Sequence, residues 1–269
     1  MTLPHLSLSP SPLLFWVLAS VLTYALATNA LWLADATARR RTTSPGVPGA
    51  TRFPARLGPA LCQAGSFLFY LGIPYLALGG WPRRPLQGLL SLEDMGLAGL
   101  GGAWQAARWL DAVGTGFALG MAALAILLVA WANANRPADG LRLRFPNRSW
   151  LAILVDVLYL EVHWAFYRGA LALILGDVYL AISVGLGLVG AEWALNPFWR
   201  RGWRLAGRAA EQWLHAALAL VIAFVFLATR NFWVCLGVHT LIELACWRIG
   251  REPRTGPGGA EPSLPDTGG

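Results

Sequence analysis

Seven stretches of this chain are apolar enough, and close enough to about twenty residues long, to cross a bilayer. They run over approximately 13–34, 58–80, 112–133, 150–170, 171–195, 209–228 and 231–248. Hydrocarbon offers the backbone no hydrogen-bond partner, so a spanning segment must satisfy its own N–H and C=O groups. Runs of this length do so as α-helices. The expected fold is all-α: a polytopic membrane helix bundle of about seven transmembrane helices. Composition agrees, with 56% hydrophobic and 13% charged residues and a mean hydropathy of +0.51, where a soluble domain carries about 25% charged residues.

The formal net charge of +7 belongs to topology and not to a nucleic-acid partner. The basic residues are all Arg, and they sit in short loops between apolar spans. The loops 35–57, 134–149 and 196–208 and the end of the chain hold most of them. All these segments share one side if the N-terminus is outside and the C-terminus cytoplasmic, as the positive-inside rule asks. A multi-pass protein of the bacterial plasma membrane is the expected setting, with membrane lipid as its surroundings. The first apolar run lacks a basic n-region and is too long for a signal-peptide core, so it is expected to stay as a span. The three cysteines, Cys62, Cys235 and Cys246, form no metal-ligand spacing.

Between the second and third spans, Ser91 followed three residues on by Asp94 resembles a capping box. It predicts a short interfacial helix over Ser91–Leu97. The Pro- and Gly-rich end of the chain reads as disordered. Three parts follow: an N-terminal transmembrane hairpin with its amphipathic loop (1–111), a membrane core (112–249) and a tail (250–269).

The first three spans contain no charge, while each of the last four contains at least one acid. Asp156, Glu161, His163 and Arg168 lie together in the fourth. A charge at mid-membrane costs at least about 2.5–3.5 kcal/mol, and such groups persist by pairing or by lining a polar cavity. Glu161, Trp164 and Arg168 share one helix face, and His163 points nearer to the face of Asp156 and Tyr159. The pairs His239/Glu243, Glu211/His215 and Glu192/Asn196 each fall four residues apart. At about 1.5 Å per residue, Glu161 and His239 both come to rest near the midplane. Carboxylate and imidazole ligands from several helices suit a divalent metal such as Zn²⁺, whose bound water a nearby Glu could deprotonate.

The segment Leu227–His239, with Thr229, Asn231 and Trp233 leading into His239, resembles the closing motif of the CPBP (CAAX protease and bacteriocin-processing) intramembrane metalloproteases. Glu161 through Arg168-Gly169 is similar to that family's first motif, E-E-x-x-x-R, and Ser91–Leu97 to a segment upstream of it. With Arg168 as the motif arginine, His163 and Trp164 occupy the paired-Glu positions, so Glu161 would supply the carboxylate from one turn earlier. Asn196 stands where the second motif has His, and Glu243 where the last has Asn or Asp. The resemblance implies a CPBP-like core in the last four spans and a hydrolase: a metalloendopeptidase cutting a peptide or prenylated-protein substrate within or near the membrane. On that reading Glu161 activates water, His239 with Glu243 or His163 binds the metal, and Asn196 or Arg168 stabilises the oxyanion. Two other readings stand beside it. One is a catalytically silent relative that binds a partner or lipid. The other is a small transporter, against which the chain shows no repeated half.

Overall fold

A computed structural model describes residues 12–42, 63–79, 95, 106–134 and 149–250. Among them every regular element is a helix: α1 (Pro12–Thr42), α2 (Gln63–Leu78, with a π-type turn at Leu68–Gly72), α3 (Ala106–Ala134), α4 (Trp150–Leu175), α5 (Val178–Leu195), the short α6 (Pro197–Gly202), α7 (Ala206–Thr229) and α8 (Phe232–Gly250). Six of these, all but α2 and α6, are long and apolar enough to span a membrane. The chain is an all-α, multi-pass integral membrane protein. The expected interfacial helix lies outside the described residues apart from Met95, and the tail beyond 250 lies outside them entirely.

Local signals set the helix ends. Ser149 caps α4 by accepting from the Ala152 N–H at 3.1 Å. Gly176 closes α4 at φ +68°, donating its N–H to Ala172 O at 2.9 Å, the left-handed stop that glycine adopts without steric penalty. Asp177 then caps α5 through Leu180 N at 2.8 Å. Between α7 and α8, Arg230 takes the left-handed position at φ 51°. Asn231 accepts from Trp233 N at 2.9 Å and Val234 N at 3.3 Å. The Thr229-Arg230-Asn231-Phe232-Trp233 segment is therefore a turn whose Asn opens α8 and fixes the register of His239 two turns on.

The contacts also fix the direction of each helix. In the second half of α1, Asn29 donates to Leu195 O at 3.1 Å, at the close of α5. Near the start of α3, Gly116 faces Thr229 and Val234, where α7 ends and α8 begins. So α1 finishes at one end of the bundle and α3 starts at the other. Between these two the described helix is α2, shorter than the six that are long enough to span. At about 1.5 Å per residue its 16 residues, Gln63 to Leu78, reach roughly 24 Å.

Helix α4 is the axis of the bundle, packed by α1, α2, α5 and α8. Residues 163–171 are buried on every side, as befits a helix with no lipid-facing stripe over that length. On the other flank α3 meets α8 through glycines. A Cβ on Gly120 would stand 2.8 Å from Val238 Cγ1, and one on Gly116 would overlap Val234. Small residues let membrane helices approach where no hydrophobic effect drives them together. Gly120→Leu should lower stability by about 1–3 kcal/mol, the usual range for overpacking, measured by unfolding in mixed micelles. Adding Val238→Ala should recover part of the loss.

Candidate functional site

Near the middle of each helix, α4 and α8 meet through Glu161 and His239. Glu161 Oε1 lies 2.8 Å from His239 Nδ1, and both side chains are 0% exposed. The Arg168 guanidinium, two turns along α4, stands 3.4 Å from the other oxygen, Glu161 Oε2. Arg168 also lies over the Phe226 ring at 4.3 Å. Trp164, one turn from both Glu161 and Arg168, stacks on the imidazole with centroids 5.4 Å apart and planes 11° apart. The face shared by Glu161, Trp164 and Arg168 thus becomes one wall of a buried centre, with His239 as the opposite wall.

The hydrogen bond sets the state of the ring. If Glu161 is ionised its carboxylate only accepts, which puts the proton on Nδ1 and, in a neutral ring, the lone pair on Nε2. That Nε2 is buried without a hydrogen-bond partner, as is Arg168 Nε. Beside Arg168 a small cavity of about 20 Å³ lies between α4, α5 and α7, lined by Trp164, Tyr167, Arg168, Gly185 and Ala219 among others. It has room for about one water.

His163 belongs to a different centre. Its Nε2 is 3.2 Å from each oxygen of the buried Glu192 on α5. Tyr167, one turn along α4, donates to Glu192 Oε1 at 2.5 Å and lies 3.1 Å from Ser20 Oγ on α1. Phe69 and Tyr70 of α2 pack on the imidazole, with centroids at 4.7 and 5.3 Å. Glu243 pairs elsewhere again, its Oε1 3.6 Å from His215 Nε2 on α7. The ring of His215 is turned by its Nδ1, which donates to Glu211 O at 2.7 Å. Asn196 caps α6 by accepting from Phe198 N at 2.9 Å, and its amide donates to Tyr24 OH at 2.7 Å. Asp177, as described, is a cap.

The structure therefore brings together Glu161, Arg168 and His239. It sends His163, Glu243 and Asn196 to other partners. The intrahelical pairs read from four-residue spacing become interhelical ones: Glu161–His239, Glu192–His163 and Glu243–His215. The partnership of Glu192 with His163 is the feature that sequence reasoning missed. His163 and Tyr167 are also four apart, so one turn of α4 presents two donors to the same neighbour, and that was the available signal. Among the described residues no three His, Cys, Asp or Glu side chains converge as a metal site. At the Glu161–His239 centre the donors are one imidazole, one carboxylate and a guanidinium that repels cations. Zinc sites use at least three protein ligands at about 2.0–2.3 Å, more than this donor set supplies by itself.

No family model, curated protein or solved structure matches the chain. The centre must be read from its own chemistry.

Removing one partner of a buried pair strands the other's charge, typically at about 3–5 kcal/mol. Glu161→Leu should therefore destabilise the protein by about that much. The double variant Glu161→Leu/Arg168→Met should be clearly more stable than Glu161→Leu alone, measured by reversible unfolding in mixed micelles.

Proposed function

We propose that the chain is an intramembrane hydrolase of CPBP-like type, in which Glu161 and His239 form a general-base pair that activates water against a peptide carbonyl. The observation that carries this reading is the 2.8 Å bond from His239 Nδ1 to Glu161, with Nε2 left buried and without a partner. In such a pair the carboxylate holds the tautomer and steadies the imidazolium that forms when Nε2 takes a proton from water. The water oxygen adds to the carbonyl carbon, and the carbonyl oxygen takes up the negative charge. Arg168, with Nε free of protein acceptors, is the donor placed nearest to receive that charge. His239 then returns its proton to the leaving amine. Trp164 keeps the ring in plane throughout.

Substrate chemistry follows from the setting: a peptide or prenylated peptide presented from the bilayer. The Arg-rich end of the bundle faces the cytoplasm of a bacterial plasma membrane in this reading. A protein-held metal takes no step in the scheme.

The full burial of Glu161 and His239 favours one rival reading, a silent scaffold whose polar pairs lock helices and bind a partner or lipid. The two separate in proteoliposomes loaded with fluorogenic transmembrane and prenylated peptides. The hydrolase reading expects cleavage by the wild type that survives 1,10-phenanthroline. It expects a fall of about 10²–10⁴-fold in His239→Ala and in Glu161→Gln, the range seen when a general base or its orienting carboxylate is removed. Absence of cleavage by folded wild type, or cleavage unchanged in both variants, would assign the chain to the scaffold. Loss of activity to chelator, restored by zinc, would return the metal to the scheme.

A further inference from the structure

A buried hydrolytic pair needs water, and the small cavity beside Arg168 is walled mainly by apolar side chains. A second cavity lies on the other side of the pair, between α4, α7 and α8. It measures about 40 Å³, enough for two or three waters at roughly 10–15 Å³ each. Three acids and a histidine line it, Asp156, Glu211, Glu243 and His215, together with the thiol of Cys246. Asp156 is exposed, and the His215 and Glu243 side chains are 20% and 16% exposed, whereas Glu161 and His239 are fully buried. Exposure therefore falls away in steps from this cavity's mouth toward the pair.

The cavity reaches close to the pair along two helices at once. On α8, Glu243 is four residues from His239; on α4, the lining residues Val157 and Leu160 are four and one from Glu161. One helical turn, about 6 Å at 1.5 Å per residue, thus separates the cavity from the pair. Leu160, Val157 and Leu214 form the floor between them. The mouth lies where α4 and α7 begin and α8 ends, the same end as the Arg-rich loops 134–149 and 196–208.

We propose that this cavity is a water-filled vestibule, open at the Arg-rich end, that brings bulk water to within one helical turn of Glu161 and His239. The three acids and His215 keep it wet inside an otherwise apolar bundle, since a polar cavity holds water where an apolar one stays dry. Its role as the source of the hydrolytic water rests on the hydrolase reading; its existence does not.

Cys246, 9% exposed, lines the vestibule, whereas Cys235, 0% exposed, does not. Two single-cysteine proteins therefore test the proposal in sealed membrane vesicles of known orientation. One keeps Cys246 (Cys62→Ser/Cys235→Ser) and the other keeps Cys235 (Cys62→Ser/Cys246→Ser). The probe is a charged, membrane-impermeant methanethiosulfonate. A thiol reacts as its thiolate, which forms only where water reaches it. The expected result is that Cys246 reacts at least tenfold faster than Cys235, and only with reagent on the Arg-rich side. Filling the vestibule by Leu160→Trp should slow the reaction at least tenfold; if that variant does not fold, Glu211→Leu should slow it in the same direction. Equal, slow reaction of both cysteines in folded protein, with both reactive after unfolding in SDS, would overturn the vestibule. So would reaction of Cys246 only from the opposite side. A reactive Cys246 in a protein that cleaves nothing would keep the vestibule and refute the hydrolase.

Discussion

The bundle is organised by the need to neutralise charge in a medium that cannot solvate it. Glu161, Arg168 and His239 lie at a depth where an unpaired charge is costly, and each covers part of the others' need. The carboxylate takes Nδ1 of the imidazole on one oxygen and faces the guanidinium on the other. These contacts tie α4 to α8, the two helices whose separation would strand the charges. The arrangement also explains why α4 is enclosed on all sides from 163 to 171. A helix carrying Glu161 and Arg168 on one face and His163 on another cannot turn either face to lipid, so neighbours must cover both.

The coverage is divided by helix. The α8 face receives Glu161, and α5 with α1 receives His163 and Tyr167 through Glu192 and Ser20. Glu243, one turn below His239, turns instead to His215 on α7. Three acid–imidazole pairs therefore cross three different helix interfaces. One joins helices far apart in the chain, α4 and α8, and the other two join neighbours, α4 to α5 and α7 to α8. Interhelical hydrogen bonds in membranes average about 0.6 kcal/mol, so their value lies as much in fixing which faces meet as in stability. His163 likewise keeps its Nδ1 buried without a partner, as His239 keeps its Nε2; what sets the Glu161–His239 pair apart is the Arg168 guanidinium on the same carboxylate.

Much of this was legible in the sequence, and the boundary of legibility is physical. Apolar runs announce spans because length and hydropathy are properties of one segment at a time. Even so, the boundary read at 170/171 belongs at Gly176–Asp177, where a left-handed stop and an Asp cap adjoin. Depth is equally one-dimensional, and it placed Glu161 and His239 at a common level. What the sequence does not carry is azimuth: which face of α4 meets which neighbour depends on the packing of every helix. For that reason His163 was grouped with His239, though its face is turned to Glu192. Glu243 was grouped with His239 for their shared helix face, and the structure hands one to α7 and the other to α4. Asn196 shows another confusion, since a residue that opens a helix by capping it and a residue that donates to an oxyanion look alike in sequence.

The central claim is that His239 donates through Nδ1 to Glu161 and leaves Nε2 with a lone pair. Solid-state ¹⁵N NMR of histidine-labelled protein in bilayers tests it most directly, because the chain has only 4 histidines and His239→Gln assigns the signal. A His239 ring protonated on Nδ1, with a shift that moves on Glu161→Gln, is the result expected here. A ring protonated on Nε2, or one indifferent to the loss of the Glu161 charge, would contradict the account.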